Sequence, residues 1–326
     1  MPKNILTVFG ATGNQGSSLI RHVLGDPHLS TTYTIRAVAR DPSSPSAQSL
    51  QSLGGAIELV KGDLNDEASI ASALKDTHTV FLVTISDWSV PPDSLTSATE
   101  YSQGKAVADV SLAAGVAYLI FSSEMHVAKG SNNRITSAVG LDVKAEVESY
   151  IRSLCANSES KMKSAFFHPG TFMQNFNQGM LPRPLGDGTY GLFNFVNPTT
   201  KFPVIDIAAD TGKFVSAILA SPDTFSGKSL SAATYLKSLD EIAEIMTKVS
   251  GKPVKYMQVP RETMESFMAG AGPGVGRGLC DMFLWMQEVG YYGPQTAEKV
   301  EWTVGQVGGG GLTSLEEYLG REPLKL

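Results

Sequence analysis

Apolar residues in the first half of the chain fall into short runs separated by amphipathic stretches. Runs such as ILTVF and YTIRAVA are typical of buried strands, whereas Leu19, Ile20 and Val23 have helical spacing. The predicted strands are Ile5–Phe9, Tyr33–Ala39, Ile57–Lys61, Thr79–Val83, Tyr118–Phe121 and Ala165–Phe167. The predicted helices are 15–24, 46–53, 66–75, 95–114 and 142–156.

This alternation of strands and helices predicts the fold class. Strands that alternate with helices form a parallel sheet covered on both faces, with right-handed crossovers. We therefore expect an α/β fold with a doubly wound parallel Rossmann sheet over residues 1–170.

The regular alternation of predicted strands and helices ends after about residue 170, where Gly and Pro become frequent. For residues 171–326 we predict a smaller, discontinuous α+β domain that serves as a substrate or lid domain. We expect residues 200–225 to contribute to the Rossmann domain. Its predicted elements are helices at 209–220 and 239–249, a strand in GKPVKYMQVP, and a helical region over 262–292 that GAGPGVGRG interrupts. In VGGGGLTSLEEYLG, a glycine hinge precedes a last predicted helix. Thr313 is its predicted N-cap, with Glu316 three residues further on.

Composition excludes several classes of protein. Of 326 residues, 42% are hydrophobic and 18% charged, which is ordinary for a globular protein, and the net charge of −6 argues against nucleic-acid binding. The chain shows neither a signal-peptide layout nor an apolar run long enough for a membrane span. Two cysteines, Cys155 and Cys280, suit neither a disulfide framework nor a metal site. We expect a cytoplasmic protein without a metal.

Three glycines mark the turn between the first strand and the first helix. Gly10, Gly13 and Gly16 in GATGNQG permit a tight turn and a close approach of backbone to a pyrophosphate. The N–H groups of the following helix then face the phosphates. The predicted cofactor contacts in this turn are Gly10, Thr12, Gly13, Asn14, Gln15 and Gly16.

The residue after the second strand bears on the choice of dinucleotide. Arg40 suits the 2′-phosphate of NADP(H), although Asp41 beside it could pair with Arg40 or hold a ribose 2′-hydroxyl. The pattern favours NADP(H). Asp63, after the third strand, either accepts from the adenine amino group or caps a turn.

Three further segments should reach the carboxyl edge of the sheet, where substrate binds in such folds. They are FLVTISDW (81–88), LIFSSEMH (119–126) and FFHPGTFMQNF (166–176). Thr84, Pro169 and Phe172 are predicted cofactor contacts, and Ser122 and Ser123 are candidate proton donors. We expect His126 and His168 to be hydrogen-bonded structural residues. The Met-rich stretch 264–286 either packs or lines an adaptable apolar pocket.

A Ser–Tyr–Lys reductase needs a tyrosine four residues before its lysine. Lys144 is present in TSAVGLDVKAEVESYI, but Gly140 stands where that tyrosine would be. Spacing alone favours a solvated surface pair between Lys144 and Glu148.

Over nearly the whole chain the residues resemble the NmrA-like family of atypical short-chain dehydrogenase/reductase proteins. The similarity runs from VFGATGNQGSSLIRHVL through GDLND, LDVKAEVESYIR and HPGTFMQNF to FPVIDIAADTGKFVSAIL and GKPVKYMQVP. The resemblance implies a Rossmann domain that binds NADP(H), with Arg40 at the 2′-phosphate. It also implies that Lys144 lies near the nicotinamide ribose, as a cofactor contact and a candidate catalytic residue. Members similar to the human redox sensor often carry HFD where this chain has GLD at 140–142, so a histidine relay is missing too.

Two functions follow from the resemblance. The missing tyrosine favours a redox-sensing or regulatory protein, in which the two redox forms of the cofactor bind unequally and change the surface offered to a partner. The alternative is an NADPH-dependent reductase of a quinone, enone or ketone that uses Lys144 without a tyrosine. The expected partner is a small-molecule ligand or a protein, and a homodimer is possible; neither nucleic acid nor membrane is expected.

Overall fold

The computed structural model describes residues 2–157, 160–268, 270, 272, 274–308 and 311–326. Its strands are β1 (Asn4–Val8), β2 (Tyr33–Ala39), β3 (Ile57–Lys61), β4 (Thr79–Leu82), β5 (Tyr118–Ser122), β6 (Lys163–Pro169), β7 (Thr171–Phe172), β8 (Arg183–Pro184), β9 (Tyr190–Asn194), β10 (Lys201–Ile205), β11 (Ser229–Ala232), β12 (Tyr235–Ser238) and β13 (Val254–Gln258). Its helices are α1 (Asn14–Gly25), α2 (Leu29–Thr32), α3 (Pro45–Gln51), α4 (Glu67–Ala73), α5 (Thr99–Ala113), α6 (Val127–Gly130), α7 (Val139–Ala156), α8 (Ile207–Ala220), α9 (Pro222–Phe225), α10 (Leu239–Ser250), α11 (Arg261–Phe267), α12 (Val275–Glu288), α13 (Thr296–Gln306) and α14 (Leu315–Arg321).

The largest sheet has seven strands in the order β11-β6-β5-β4-β1-β2-β3, and every pairing in it is parallel. The order reverses at β1 and β4, as in a doubly wound Rossmann sheet. The predicted fold class is therefore confirmed. All six predicted strands are present in this sheet, because short apolar runs mark strands in the sequence.

Helices cover both faces of this sheet. On one face α1 and α8 pack together, and a Cβ added to Gly212 of α8 would lie 2.5 Å from the carbonyl oxygen of Ser18 in α1. On the other face Ile70, Val107 and Val147 bring α4, α5 and α7 into a second buried cluster.

The later residues form two three-stranded sheets, β12-β10-β7 and β13-β9-β8, with a core of their own. The helical region predicted over 262–292 consists of two helices, α11 and α12, and α12 begins within the predicted interruption. Two predicted features lie partly outside the described residues. They are the GAGPGVGRG interruption, at Ala271 and Pro273, and the glycine hinge, at Gly309 and Gly310. Met1 also lies outside them. The predicted helix 95–114 starts as a 3-10 turn, Leu95–Ser97, and α5 begins only at Thr99.

One predicted cap is wrong by a residue. Ser314, not Thr313, caps α14, and its box partner is Glu317 rather than Glu316. The physical reason is that Asp210 engages Thr313: the Thr313 backbone N–H and hydroxyl donate to its carboxylate at 2.9 and 3.1 Å.

Among the described residues, the structure contains no helix long and apolar enough to cross a membrane. The carboxyl ends of the parallel strands face the segments that follow β6, including β7 and the 3-10 turn Met173–Asn177. Functional side chains from both halves of the chain therefore meet at this edge.

Candidate functional site

The turn between β1 and α1 has the geometry of a phosphate cradle. Gly10 adopts a φ of +72°, which favours glycine, and a Cβ on Gly16 would lie 2.3 Å from the Gly10 carbonyl oxygen. Gly13 is the N-cap of the 12-residue helix α1, and neither a side-chain cap nor an acidic residue occupies its first turn. The backbone N–H groups at this end are therefore suited to an anion.

The side chains beside this turn differ in their surroundings. Thr12 and Asn14 are exposed. Gln15 lines the cavity described below, and its buried Oε1 has no hydrogen-bond donor within the part of the chain that the structure describes. A buried unpartnered acceptor next to a glycine turn fits a site that a polar ligand completes.

Arg40 follows β2 at the same edge and is exposed. Among the described residues it has no ion-pair or hydrogen-bond partner, so the alternative pairing with Asp41 is not formed. Asp41 instead accepts from the Ser43 N–H at 2.8 Å and from the Ser43 hydroxyl at 2.6 Å. Arg40 is thus free to bind a phosphate.

Asp63 follows β3, next to β2 in the sheet. Its carboxylate accepts from the backbone N–H of Asn65 at 2.9 Å and from the Asn65 side chain at 3.1 Å. Of the two alternatives for Asp63, the structure therefore shows the turn-capping contacts, after a strand that pairs with the one that Arg40 follows.

Lys144 is buried, and the surface pair with Glu148 that spacing favours is wrong. Its Nζ donates to the carbonyl oxygen and the hydroxyl of Thr84, each at 2.9 Å, and to Glu100 Oε1 at 2.6 Å. The reason is tertiary packing: α5 brings the buried Glu100 against α7, so the ammonium finds a buried carboxylate. All three donors of the ammonium are engaged.

Glu148 makes a separate network with β6. Its Oε2 lies 2.6 Å from His168 Nε2, and its Oε1 accepts from Arg152 Nε at 2.9 Å. Burial alone would raise the pKa of Glu148, but His168 and Arg152 lower it to about 2. His126 likewise contacts Asp142 and Glu146. Both histidines are hydrogen-bonded, as expected of structural residues.

The two candidate serines are placed differently. Ser122, the last residue of β5, is buried and lines the cavity. Ser123 points the other way: its hydroxyl donates to the Lys144 carbonyl oxygen at 3.3 Å, and it does not line the cavity. Of the pair, Ser122 alone has access to a ligand there.

A cavity of about 490 Å³ opens at the carboxyl edge of the sheet, between the two halves of the chain. The predicted residues Gln15, Thr84, Ser122, Lys144, Pro169 and Phe172 all line it. Its outer wall is largely apolar and includes Trp88, Met180, Met264, Met268, Met282 and Phe283. Part of the Met-rich stretch thus lines a pocket, while Trp285 and Met286 are core residues. This volume suits a small molecule with a large apolar surface.

Sequence reasoning missed a polar pair in this cavity, Glu124 and Tyr291. The Tyr291 hydroxyl donates to Glu124 Oε2 at 3.2 Å, although 167 residues separate them. Burial raises the pKa of Glu124 to about 8, against the opposing effects of Lys144 and the Tyr291 hydrogen bond. Glu124 stands in the segment LIFSSEMH, but nothing in the sequence gives it a role. No pattern in the sequence points to Tyr291.

Comparisons with known proteins agree with this fold. The NmrA-like family model matches residues 2–319. The NmrA-like family domain-containing oxidoreductase ptmS of Penicillium ochrochloron is 30% identical over 300 residues, covering 89% of this chain and 86% of that protein. The corresponding oxidoreductase malD of Malbranchea aurantiaca is 29% identical over 264 residues, covering 79% and 76%.

Among solved structures, NmrA, a negative transcriptional regulator, in complex with NADP is 20% identical, with a TM-score of 0.76 and coverage of 99% and 96%. The NADPH-dependent quinone oxidoreductase of Escherichia coli complexed with NADPH is 21% identical, with a TM-score of 0.72 and coverage of 98% and 99%. At these identities the structures show the shared fold alone. The family match over residues 2–319, together with this fold, shows that the chain belongs to the NmrA-like family.

Proposed function

We propose that this protein is an NADPH-dependent reductase that transfers hydride to a small, apolar carbonyl acceptor such as a quinone, enone or ketone. The observation that carries the proposal is the 490 Å³ cavity beside Lys144, which leaves room for an acceptor where the sheet edge meets the second half of the chain. The nicotinamide would fill the part of this space next to predicted cofactor contacts such as Lys144 and Phe172, and the acceptor would lie along the apolar outer wall.

The glycine turn and Arg40 support the cofactor assignment. The N–H groups of α1 would hold the pyrophosphate, and Arg40 would bind the 2′-phosphate, since it has no other partner among the described residues. When bound, NADPH supplies the hydride. The names of the curated relatives as oxidoreductases agree with a redox reaction.

Lys144 has a narrower role in this proposal. Its three hydrogen bonds hold the ammonium at the cavity wall, where it provides a fixed positive charge. A proton leaving this ammonium would leave Glu100 buried beside a neutral amine, so we expect Lys144 to act electrostatically.

Direct binding and turnover measurements test the proposal. NADPH, NADP+ and NADH would be titrated calorimetrically, and NADPH oxidation then followed with a panel of apolar quinones, enones and aryl ketones. Leu279→Trp, which places a larger side chain in the cavity wall, serves as the control. We expect it to keep NADPH affinity and lose turnover. Tight NADPH binding without reduction of any acceptor, together with unequal NADPH and NADP+ affinities, would establish the sensing function instead.

A further inference from the structure

The position of the missing tyrosine is filled by another side chain. A Cβ on Gly140 would lie 2.6 Å from Trp88 Cε2 and 2.8 Å from its Cδ2. A Cβ on Gly278 of α12 would lie 2.8 Å from Trp88 Cε3. The indole is therefore held between α7 and α12, and position 140 has no room for a proton-donating side chain.

A reductase of neutral carbonyl compounds still needs a proton. Hydride addition places negative charge on the acceptor oxygen, and an acid within reach lowers that barrier. Lys144 is occupied by Thr84 and Glu100, and Ser123 faces away from the cavity. Ser122 reaches the cavity, but an aliphatic hydroxyl is a far weaker acid than a carboxylic acid. We therefore expect a stronger acid elsewhere in the cavity wall.

Glu124 and Tyr291 meet the geometric requirements. Both line the cavity together with Lys144 and Ser122, and Tyr291 is 5% exposed. The Tyr291 hydroxyl is the one hydrogen-bond partner of the Glu124 carboxyl within the described residues, and it binds Oε2. The other carboxyl oxygen is left to carry the acidic proton.

Burial, more than the neighbouring charges, favours the neutral form of Glu124. Lys144 opposes protonation, whereas Glu100 and Glu148 support it, and burial contributes the largest effect on its pKa, which is raised. Burial also raises the pKa values of Tyr291 and of Tyr292 beside it, so both phenols remain protonated. At neutral pH the cavity thus holds a carboxylic acid hydrogen-bonded to a phenol.

We propose that Glu124, oriented by Tyr291, is the catalytic acid that replaces the tyrosine absent from position 140. The inference rests on the proposed reductase function. As hydride from NADPH forms a bond to the acceptor carbon, the C=O π electrons move to oxygen, which takes the proton from Glu124. The nicotinamide is oxidised, the carbonyl is reduced to an alcohol, and Glu124 regains a proton from solvent.

The dependence of the reaction on Glu124 should increase with the basicity of the product oxygen. An aryl ketone gives a strongly basic alkoxide, a quinone gives a weakly basic phenolate, and a triarylmethyl cation accepts hydride without any proton. Acid catalysis should therefore matter most for the ketone and not at all for the cation.

The test compares the wild type with Glu124→Gln, which keeps the shape and can still accept from Tyr291, and with Tyr291→Phe. Tyr292→Phe is the matched control, because its hydroxyl binds the Ala232 carbonyl oxygen and does not line the cavity. We expect Glu124→Gln to reduce kcat for a ketone or enone about a hundredfold or more, for a quinone less, and for the cation little. Tyr291→Phe should shift the pH profile, and Tyr292→Phe should change neither.

The pH profile separates catalysis from a structural role. Wild-type kcat/KM for the ketone or enone should fall as pH rises above about 8, and this limb should vanish in Glu124→Gln. A carboxylic-acid infrared band present at pH 7 and lost in Glu124→Gln gives a second readout that needs no acceptor. Equal losses for ketone and cation, or absence of that band, would overturn the role of Glu124. Reduction of the cation alone would also overturn it, whereas no hydride transfer to any acceptor would refute the reductase function.

Discussion

Single glycines of the cofactor turn serve different purposes. Packing requires glycine at position 16, because a Cβ there would lie 2.3 Å from the Gly10 carbonyl oxygen and 2.7 Å from the Ala11 Cα. Gly13 is exposed, and a Cβ there would meet only the Gly10 carbonyl oxygen at 3.4 Å. The spacing of the motif alone does not separate these two roles.

We expect Gly13→Val and Gly16→Ala to fail in different ways. Gly13→Val should keep a near-native Tm but lose at least tenfold in NADPH affinity, because the side chain covers the helix N–H groups. Gly16→Ala should cost about 1–3 kcal/mol of stability through overpacking. Thermal melts and calorimetric titrations measure both effects; unchanged NADPH affinity in Gly13→Val would contradict the phosphate assignment.

Arg40→Ala should lower NADPH affinity by about ten- to a hundredfold, as expected for a lost charge-assisted hydrogen bond of about 1.5–3 kcal/mol. NADH affinity and Tm should change little, because Arg40 has no partner among the described residues. Arg36→Ala is the contrasting variant. That arginine is buried against Glu58 and the Ala73 carbonyl oxygen and should affect stability. Equal losses of NADPH and NADH would place the 2′-phosphate elsewhere.

Glu124 should also make the free energy of unfolding depend on pH. Its folded-state pKa, about 8, lies above the ordinary value of 4.5, so the folded state binds this proton more tightly than the unfolded state. Its contribution is fully present below about pH 4.5 and is lost as pH rises toward 8. Glu124→Gln should therefore gain stability relative to the wild type as pH increases from 5 to 9, in urea titrations. A pH-independent difference would mean that Glu124 titrates normally.

Between secondary structure elements, Lys144 and Glu100 act as one unit. They join α7, α5 and the segment after β4, since Thr84 donates to Glu100 at 2.7 Å and accepts from Lys144. Glu100 Oε2 is buried without a partner among the described residues, so the lysine is the main compensation for this carboxylate. A buried pair of this kind positions elements more than it stabilises them.

Lys144→Met alone should cost about 3–5 kcal/mol, because it leaves a buried carboxylate unpaired. The double variant Lys144→Met with Glu100→Gln should recover much of this loss. Chemical denaturation of both variants checks the coupling. If the double variant is no more stable than the single one, the two residues do not form an energetic unit.

At the scale of the whole molecule, two of the hydrophobic cores among the described residues belong to different halves of the chain. The first lies against the seven-stranded sheet under α1 and α8, and the second lies around the two smaller sheets. The last helix, α14, belongs to the second core but is tied to α8 of the first. Asp210 binds Thr313, and Asp206 pairs with Arg321. These contacts therefore link the second core to α8, which packs against α1.

Asp210→Ala should loosen this connection without removing either core. Asp210 is fully buried and also pairs with Lys213 at 2.6 Å, so its loss leaves several polar groups unsatisfied. We expect faster amide exchange in α14 and an overall loss of about 2–4 kcal/mol. Exchange confined to the α8 amides, with α14 protected, would show that Asp210 has only a local role.

The fold and the cofactor turn are accessible from sequence because their signals are local. Buried strands such as β2 are runs of apolar residues, and Gly10, Gly13 and Gly16 lie within one turn of chain. Local spacing failed for Lys144, since Glu100 lies 44 residues away and packing overrode the nearer Glu148.

The proposed proton donor, Glu124 with Tyr291, could be found only from the tertiary structure. Glu124 and Tyr291 are 167 residues apart, and neither side chain is unusual in its own segment. The position of Trp88 against Gly140 is equally hidden, because contact between separate elements depends on how their faces pack rather than on spacing along the chain. Local periodicity specifies which elements form, and burial in a shared cavity gives distant side chains their chemistry.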